Sequence, residues 1–252
     1  MARIRNLAGI LGNASGIRPK AGTLTEDFSA ADLAAGGKFL ASAGASTSSG
    51  TLRLVGTSAY SNIASVATYD LTNSHFGAEL VTPGHSGVVP GSYGTFLSAQ
   101  DNSNPNGYRY EFGVFGDNAA TPLLIATSRV NGVNQADGAV PYNATAHRFL
   151  RIRHLSTDVL FEASPDGVAW TAVVTRAAVF RPAIVRLYVF AGDYAGASNY
   201  TAVWDNLNRT GGVTAVSLTA TAVLSAAPVL GGPALVQRHG LASQGAVGSP
   251  SV

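Results

Sequence analysis

Between residues 25 and 212 apolar and polar positions alternate in short runs rather than at helical spacing. The runs Thr51–Val55, His75–Val81, Tyr108–Phe115, Leu123–Arg129, Phe149–His154, Val159–Ala163, Ala169–Val174, Ile184–Ala191 and Ala202–Leu207 read as strands. Turn signals separate them: Gly36-Gly37, Asn102 to Gly107, Gly116 to Asn118, Asn131-Gly132, Asp137-Gly138, Asp166-Gly167 and Gly192-Asp193. Only Ser29 to Ala35 looks helical, with Ser29 as cap, Asp32 three residues on and Gly36 as stop. Many short strands with polar turns predict an all-β, two-sheet antiparallel jelly-roll sandwich.

Strand phase then sorts the side chains. Leu150 and Ile152 are expected inside, with Arg151 and Arg153 outside. By the same alternation Phe112 faces inward and Arg109 and Glu111 outward; Leu187 inward and Arg186 and Tyr188 outward; Phe76, Ala78 and Leu80 inward and Glu79 outward. The expected core includes Phe112, Leu150, Ile152, Phe161, Trp170, Leu187 and Trp204. If the outward residues lie on neighbouring strands, Glu79, Arg109, Glu111, Arg151, Arg153, Arg186 and Tyr188 form one polar stripe. Its guanidinium and carboxylate groups suit hydroxyls or acidic glycans, and its tyrosine offers a stacking platform. Cross-strand charge pairs on a solvated sheet face account for the same residues.

Two stretches resemble known proteins. His147 to His154, followed by Val159 to Thr171 with its Ser164-Pro-Asp-Gly-Val-Ala-Trp170, is similar to the paired central strands of concanavalin A-like (laminin-G-like) jelly rolls. There an "LRI" strand precedes one ending in "S-x-DG-x-x-W". Ala202-Val-Trp-Asp-Asn-Leu207 resembles the closing "FDN" strand, and Leu24 to Phe28 the opening one. The resemblance spans residues 24–210 and implies the jelly-roll fold and, for the polar stripe, the sugar-binding concave face. Such domains serve as lectins, glycanases or adhesive modules. In the last stretch, Leu224 to Leu235 repeats as Leu241 to Val252, and these Gly-x-Pro repeats resemble terminal segments of bacteriophage tail and fibre proteins.

Composition divides the 252 residues into three zones. Residues 1–23 form a basic arm, 24–210 the jelly roll, and 211–252 a Gly/Pro-repeat attachment zone with Arg238 as its one charge. Two short repeats cannot bury a core alone, so the last zone needs a partner surface or sister chains; a disordered tail is the alternative. Charged residues are only 12%, and the net charge of +2 is too small for a nucleic-acid or membrane-surface footprint. No cysteine is present, which excludes disulfides, thiolate metal sites and cysteine catalysis. The apolar run Leu7 to Leu11 is too short for a signal-peptide core, so synthesis in a bacterial cytoplasm and a place on the virion surface are expected.

Candidate chemistry is sparse. No paired-carboxylate strand, Gly-x-Ser-x-Gly or histidine ligand spacing occurs, so neither catalytic nor metal residues are assigned. Asp101 to Gly107 reads as a polar turn, with a calcium site of the laminin-G kind as the alternative; no other cofactor is expected. The expected function is a phage virion structural protein (tail fibre, minor tail or head spike) whose adhesive domain contacts host-surface polysaccharide. Other virion proteins and sister chains are the expected partners. A glycan-active enzyme and a ligand-free capsid decoration protein are the alternatives.

Overall fold

The computed structural model describes residues 18–56, 60–84, 92–117, 121–193 and 200–209. The repeat zone and most of the basic arm therefore lie outside the described residues. The described residues form fourteen strands: β1 (Phe39–Ala41), β2 (Ala45–Ser48), β3 (Thr51–Gly56), β4 (Ser61–Ser65), β5 (Ser74–Thr82), β6 (Ser92–Asp101), β7 (Arg109–Asp117), β8 (Leu123–Val130), β9 (Val133–Pro141), β10 (Phe149–Leu155), β11 (Asp158–Ser164), β12 (Thr171–Ala177), β13 (Val185–Asp193) and β14 (Tyr200–Asp205). They form two seven-stranded antiparallel sheets. Sheet one runs β1-β4-β13-β6-β7-β8-β9, and sheet two β12-β11-β10-β5-β14-β3-β2.

The sheets pack through the predicted inward phase. Phe112, Leu150, Ile152, Phe161 and Trp204 are fully buried and Leu187 nearly so. Burying side chains of this size is the main favourable term in such a core, at about 25 cal/mol per Å² of apolar surface. Two side chains that enter the core pair between the sheets. Trp204 Nε1 on β14 donates to Thr95 Oγ1 on β6 at 2.8 Å, and Tyr200 Oη donates to the Gly94 carbonyl at 3.0 Å. At one rim Asp137 on β9 accepts from Arg176 on β12, joining the two edge strands, and also from Ser128.

Three expectations change. Ser29 does contact Asp32, its backbone N–H and Oγ donating to the carboxylate at 2.9 and 2.5 Å, but only turns follow. So short a segment forms too few hydrogen bonds to offset helix nucleation. Packing also starts before residue 24: Ala21 is fully buried, and its carbonyl and that of Leu24 accept from Asn208 Nδ2, each at 2.9 Å.

Trp170 is not in the core. It lies half-buried on the outer side of sheet two, with its ring 4.1 Å from the Arg151 guanidinium. The preceding turn puts it there. Gly167 adopts φ 74°, Asp166 Oδ1 accepts from the Val168 and Ala169 N–H groups, and Trp170 Nε1 folds back to the Gly167 carbonyl at 3.0 Å. Those N–H donors hold the Asp166 carboxyl below its usual range.

Candidate functional site

The seven residues of the expected stripe divide between opposite faces. Glu79 on β5 and Arg151 and Arg153 on β10 belong to sheet two; Arg109 and Glu111 on β7 and Arg186 and Tyr188 on β13 belong to sheet one. Each residue has the outward phase, but the strands are not all neighbours, so no single stripe exists.

On sheet two the charges close on one another. Glu79, only 4% exposed, accepts from Arg148 Nε at 2.7 Å and from Asn206 Nδ2 at 2.6 Å. Asn206 reaches it from a left-handed backbone position, φ 49°. Glu162 accepts from Arg151 Nε at 2.5 Å and from Arg153 Nε and Nη2 at 2.9 and 2.5 Å. Burial alone would raise the Glu162 carboxyl; the Arg153 and Arg151 donors outweigh it and hold the group below its usual range. Beside them, burial and the Arg151 charge lower His75. Every charge of this cluster has a partner, which is how a structural ion network looks.

Sheet one carries a trough on its outer face. Register places Asn134, Arg129, Arg109, Gln100 and Arg186 in one row across β9, β8, β7, β6 and β13. The next row holds Thr127, Glu111, Ser98 and Tyr188, and the one after it Ile125, Gly113, Phe96, Phe190 and Asn62. Tyr60, Asn62, Gln100, Arg109, Tyr188 and Phe190 are among the residues around a cleft of about 430 Å³. An adjoining hollow of about 410 Å³ shares Tyr60, Arg109 and Glu111 and adds Phe96 and Phe115.

One end of the trough is aromatic. Phe96 stacks on Phe190 at 5.3 Å with 27° between the rings, and Tyr60 meets Phe190 edge-on at 6.0 Å. Glycines make this possible. A Cβ on Gly94 would stand 2.4 Å from the Phe96 ring, and one on Gly192 2.3 Å from Tyr60, so the rings lie down on bare backbone. Tyr60 is exposed and Phe190 half-buried, with Phe96 buried beneath, so the upper rings offer a sugar an aromatic surface to stack upon.

The other end is polar and incompletely matched. Arg109 Nε lies 3.1 Å from Glu111 Oε1 but out of line for a hydrogen bond, and that N–H is buried without an acceptor. Arg186 Nε is likewise buried without a partner. Glu111 is 8% exposed; burial raises its carboxyl above the usual range, with Arg109 and Arg129 opposing the shift. Arg129 spends its Nε on the Gly132 carbonyl at 2.9 Å.

Sequence reasoning missed Tyr60, Asn62, Phe96 and Gln100 because β4 and β6 were not recognised as strands. Arg129 was within reach. Leu124, Ala126 and Ser128 are buried, and that alternation puts Thr127 and Arg129 outward.

Two acidic clusters have the composition of a cation site. Asp101 Oδ1 accepts from the backbone N–H and Oγ of Ser103 at 2.8 and 2.6 Å, the arrangement of a polar turn. Carboxylate oxygens of Glu26, Asp27 and Asp32 lie within 4.8 Å of one another, but the Lys38 ammonium contacts Glu26 and stands 3.9 Å from Asp32, supplying the cluster's positive charge. Among the described residues no helix is long and apolar enough to cross a membrane.

No protein-family model matches the chain, and no curated protein matches its sequence. Solved structures do match. The CBM2 module of the Lactobacillus casei BL23 phage J-1 evolved Dit superposes with a TM-score of 0.50 at 11% identity, over 66% of this chain and 78% of that one. A Bacillus licheniformis beta-glucanase gives 0.46 at 12% over 65% and 80%, and a legume lectin-like domain from Entamoeba histolytica 0.47 at 12% over 68% and 87%. At such identities the likeness is one of fold alone, a two-sheet antiparallel jelly-roll sandwich.

Proposed function

We propose that this chain is a non-catalytic, glycan-binding structural component of a phage virion, holding host-surface polysaccharide in the trough of sheet one. The observation that carries this reading is an aromatic platform beside a row of arginines in one open cleft, with Glu111 the only carboxylate among the described residues that line it. A glycosidase needs two carboxyls flanking the scissile bond. The phage setting rests on the likeness to the phage Dit module and on the repeats of residues 211–252. Several copies on one particle would turn weak single sites into firm adhesion.

The test pairs a polysaccharide array with polymer sizing. The protein is expected to bind surface polysaccharides without shortening them. Phe190→Ala is expected to weaken binding about tenfold, about 1.4 kcal/mol, with cooperative unfolding retained. Progressive chain shortening would instead make the chain a glycan-cleaving enzyme, and a blank array a ligand-free decoration protein.

A further inference from the structure

The arginine end of the trough contains a charge arrangement that folding alone does not account for. Arg109 on β7 and Arg129 on β8 are direct cross-strand partners. Like charges placed opposite each other on a sheet destabilise it. Arg186 continues the row one strand beyond Gln100 and makes no ion pair among the described residues. Against these three guanidiniums stands Glu111 alone, a local excess of two positive charges. Sheet two's outer face treats the same residue type differently, since Arg148, Arg151 and Arg153 each close on a carboxylate within 2.6 Å.

Spacing says how such a site would be filled. Neighbouring strands lie about 4.8 Å apart, so Arg129 on β8 and Arg186 on β13 are separated by roughly 14 Å. One small anion cannot bridge that distance, whereas a chain crossing the strands and bearing negative groups at intervals can. Guanidinium groups bind carboxylate and phosphate oxygens through two parallel hydrogen bonds. The Nε–H groups of Arg109 and Arg186 have no aligned acceptor within the chain, so the fold does not saturate these two guanidiniums.

Building on the glycan-binding reading, we infer that the trough selects acidic polysaccharide: Arg109, Arg129 and Arg186 form a linear anion subsite for carboxylate- or phosphate-bearing sugar chains, which cross the strands of sheet one alongside the aromatic platform. Neutral glycans use the platform alone and bind more weakly.

Affinity electrophoresis in gels containing polygalacturonate, its carboxyl-reduced neutral counterpart, dextran phosphate or plain dextran tests this. The protein is expected to be retarded at about tenfold lower concentration of at least one charged polymer than of its neutral partner. Which charged polymer acts separates carboxylate from phosphate recognition. That preference should vanish in 0.5 M salt, where exposed charges are strongly screened. The double variant Arg109→Gln with Arg129→Gln should lose it, whereas Arg53→Gln, on the outer face of sheet two, should keep it. Should the double variant fail to fold, Arg186→Gln carries the same expectation. Equal retardation by charged and neutral polymers overturns the anion subsite and leaves glycan binding standing. Equal loss with Arg53→Gln also overturns it, by reducing the effect to net charge. No retardation by any of the four polymers defeats the glycan-binding reading, and this inference with it.

Discussion

The two outer faces of the sandwich use nearly the same residues for different ends. On sheet two, Glu162 takes three hydrogen bonds from Arg151 and Arg153, and Trp170 lies over Arg151. On sheet one, Glu111 sits beside Arg109 without an aligned hydrogen bond from its Nε, and the aromatic rings lie beside the arginines rather than over them. The difference teaches that outward phase and residue type do not identify a binding face; the degree to which charges satisfy one another does. A saturated network spends its hydrogen bonds on the fold. An unsaturated one keeps them for something else.

Among changes to the two outer faces, the largest effect should come from breaking the saturated side. Glu162→Gln leaves two arginines facing a neutral group and is expected to cost about 3 kcal/mol in chemical denaturation, toward the low end for a broken buried pair because Arg153 is partly solvated. The same carboxylate sets an acid limit. Its folded pKa lies below the ordinary 4.5, so its stabilisation is present above that value and fades as pH falls through the folded one. The acid limb of unfolding should therefore be shallower in Glu162→Gln. An unchanged limb would show that the ion network contributes nothing to the fold.

Trp170→Ala is next. It removes a cation–π contact and one hydrogen bond at a half-exposed site, so about 1–2 kcal/mol is expected. Trp204→Ala, fully buried in the core, should cost about 3–5 kcal/mol in the same assay. Equal losses would mean that Trp170 packs into the interior.

The smallest change concerns Glu111. Burial raises its pKa, so ionising it costs stability as pH rises from 4.5 through the folded value. Glu111→Gln is expected to change stability at pH 7 by less than about 1 kcal/mol, because the cleft leaves Arg109 access to water. It should also flatten this part of the pH profile and strengthen retention by acidic polymer. A loss as large as that of Glu162→Gln would place both faces in one class.

How far this was legible in the chain depended on what each residue signals. Strands rich in β-branched and aromatic residues, such as β7, β10 and β13, declared both position and phase, and Phe112, Ile152 and Leu187 lie where alternation puts them. β6 did not declare itself, since Gly94, Ser98 and Gln100 resemble a loop, yet it is the middle strand of sheet one. β9 was hidden by its turn residues. Asn131-Gly132 does turn a hairpin, with φ 49° and 83°, but Asp137-Gly138 forms a bulge in which Ala126 pairs with Gly138 and Thr127 with Ala136. Trp170 misled because an aromatic after a tight turn is as able to cover a charged pair as to enter a core. The stripe failed for a different reason: periodicity assigns a face to each strand but never states which strands share a sheet.

β14 is the last strand among the described residues, yet it occupies the interior of its sheet, hydrogen-bonded to β5 on one side and β3 on the other. Until residues 200–205 are in place, that sheet exists as two fragments, β12-β11-β10-β5 and β3-β2, each with an open edge. Joining the halves is therefore expected to come late in folding: the same step brings Trp204 to Thr95 and closes loops more than a hundred residues long. Such non-local closure makes for slow folding. A nascent or truncated chain ending before residue 200 would carry two unpaired strand edges and a gap where Trp204 belongs, a form suited to aggregation rather than to partial function.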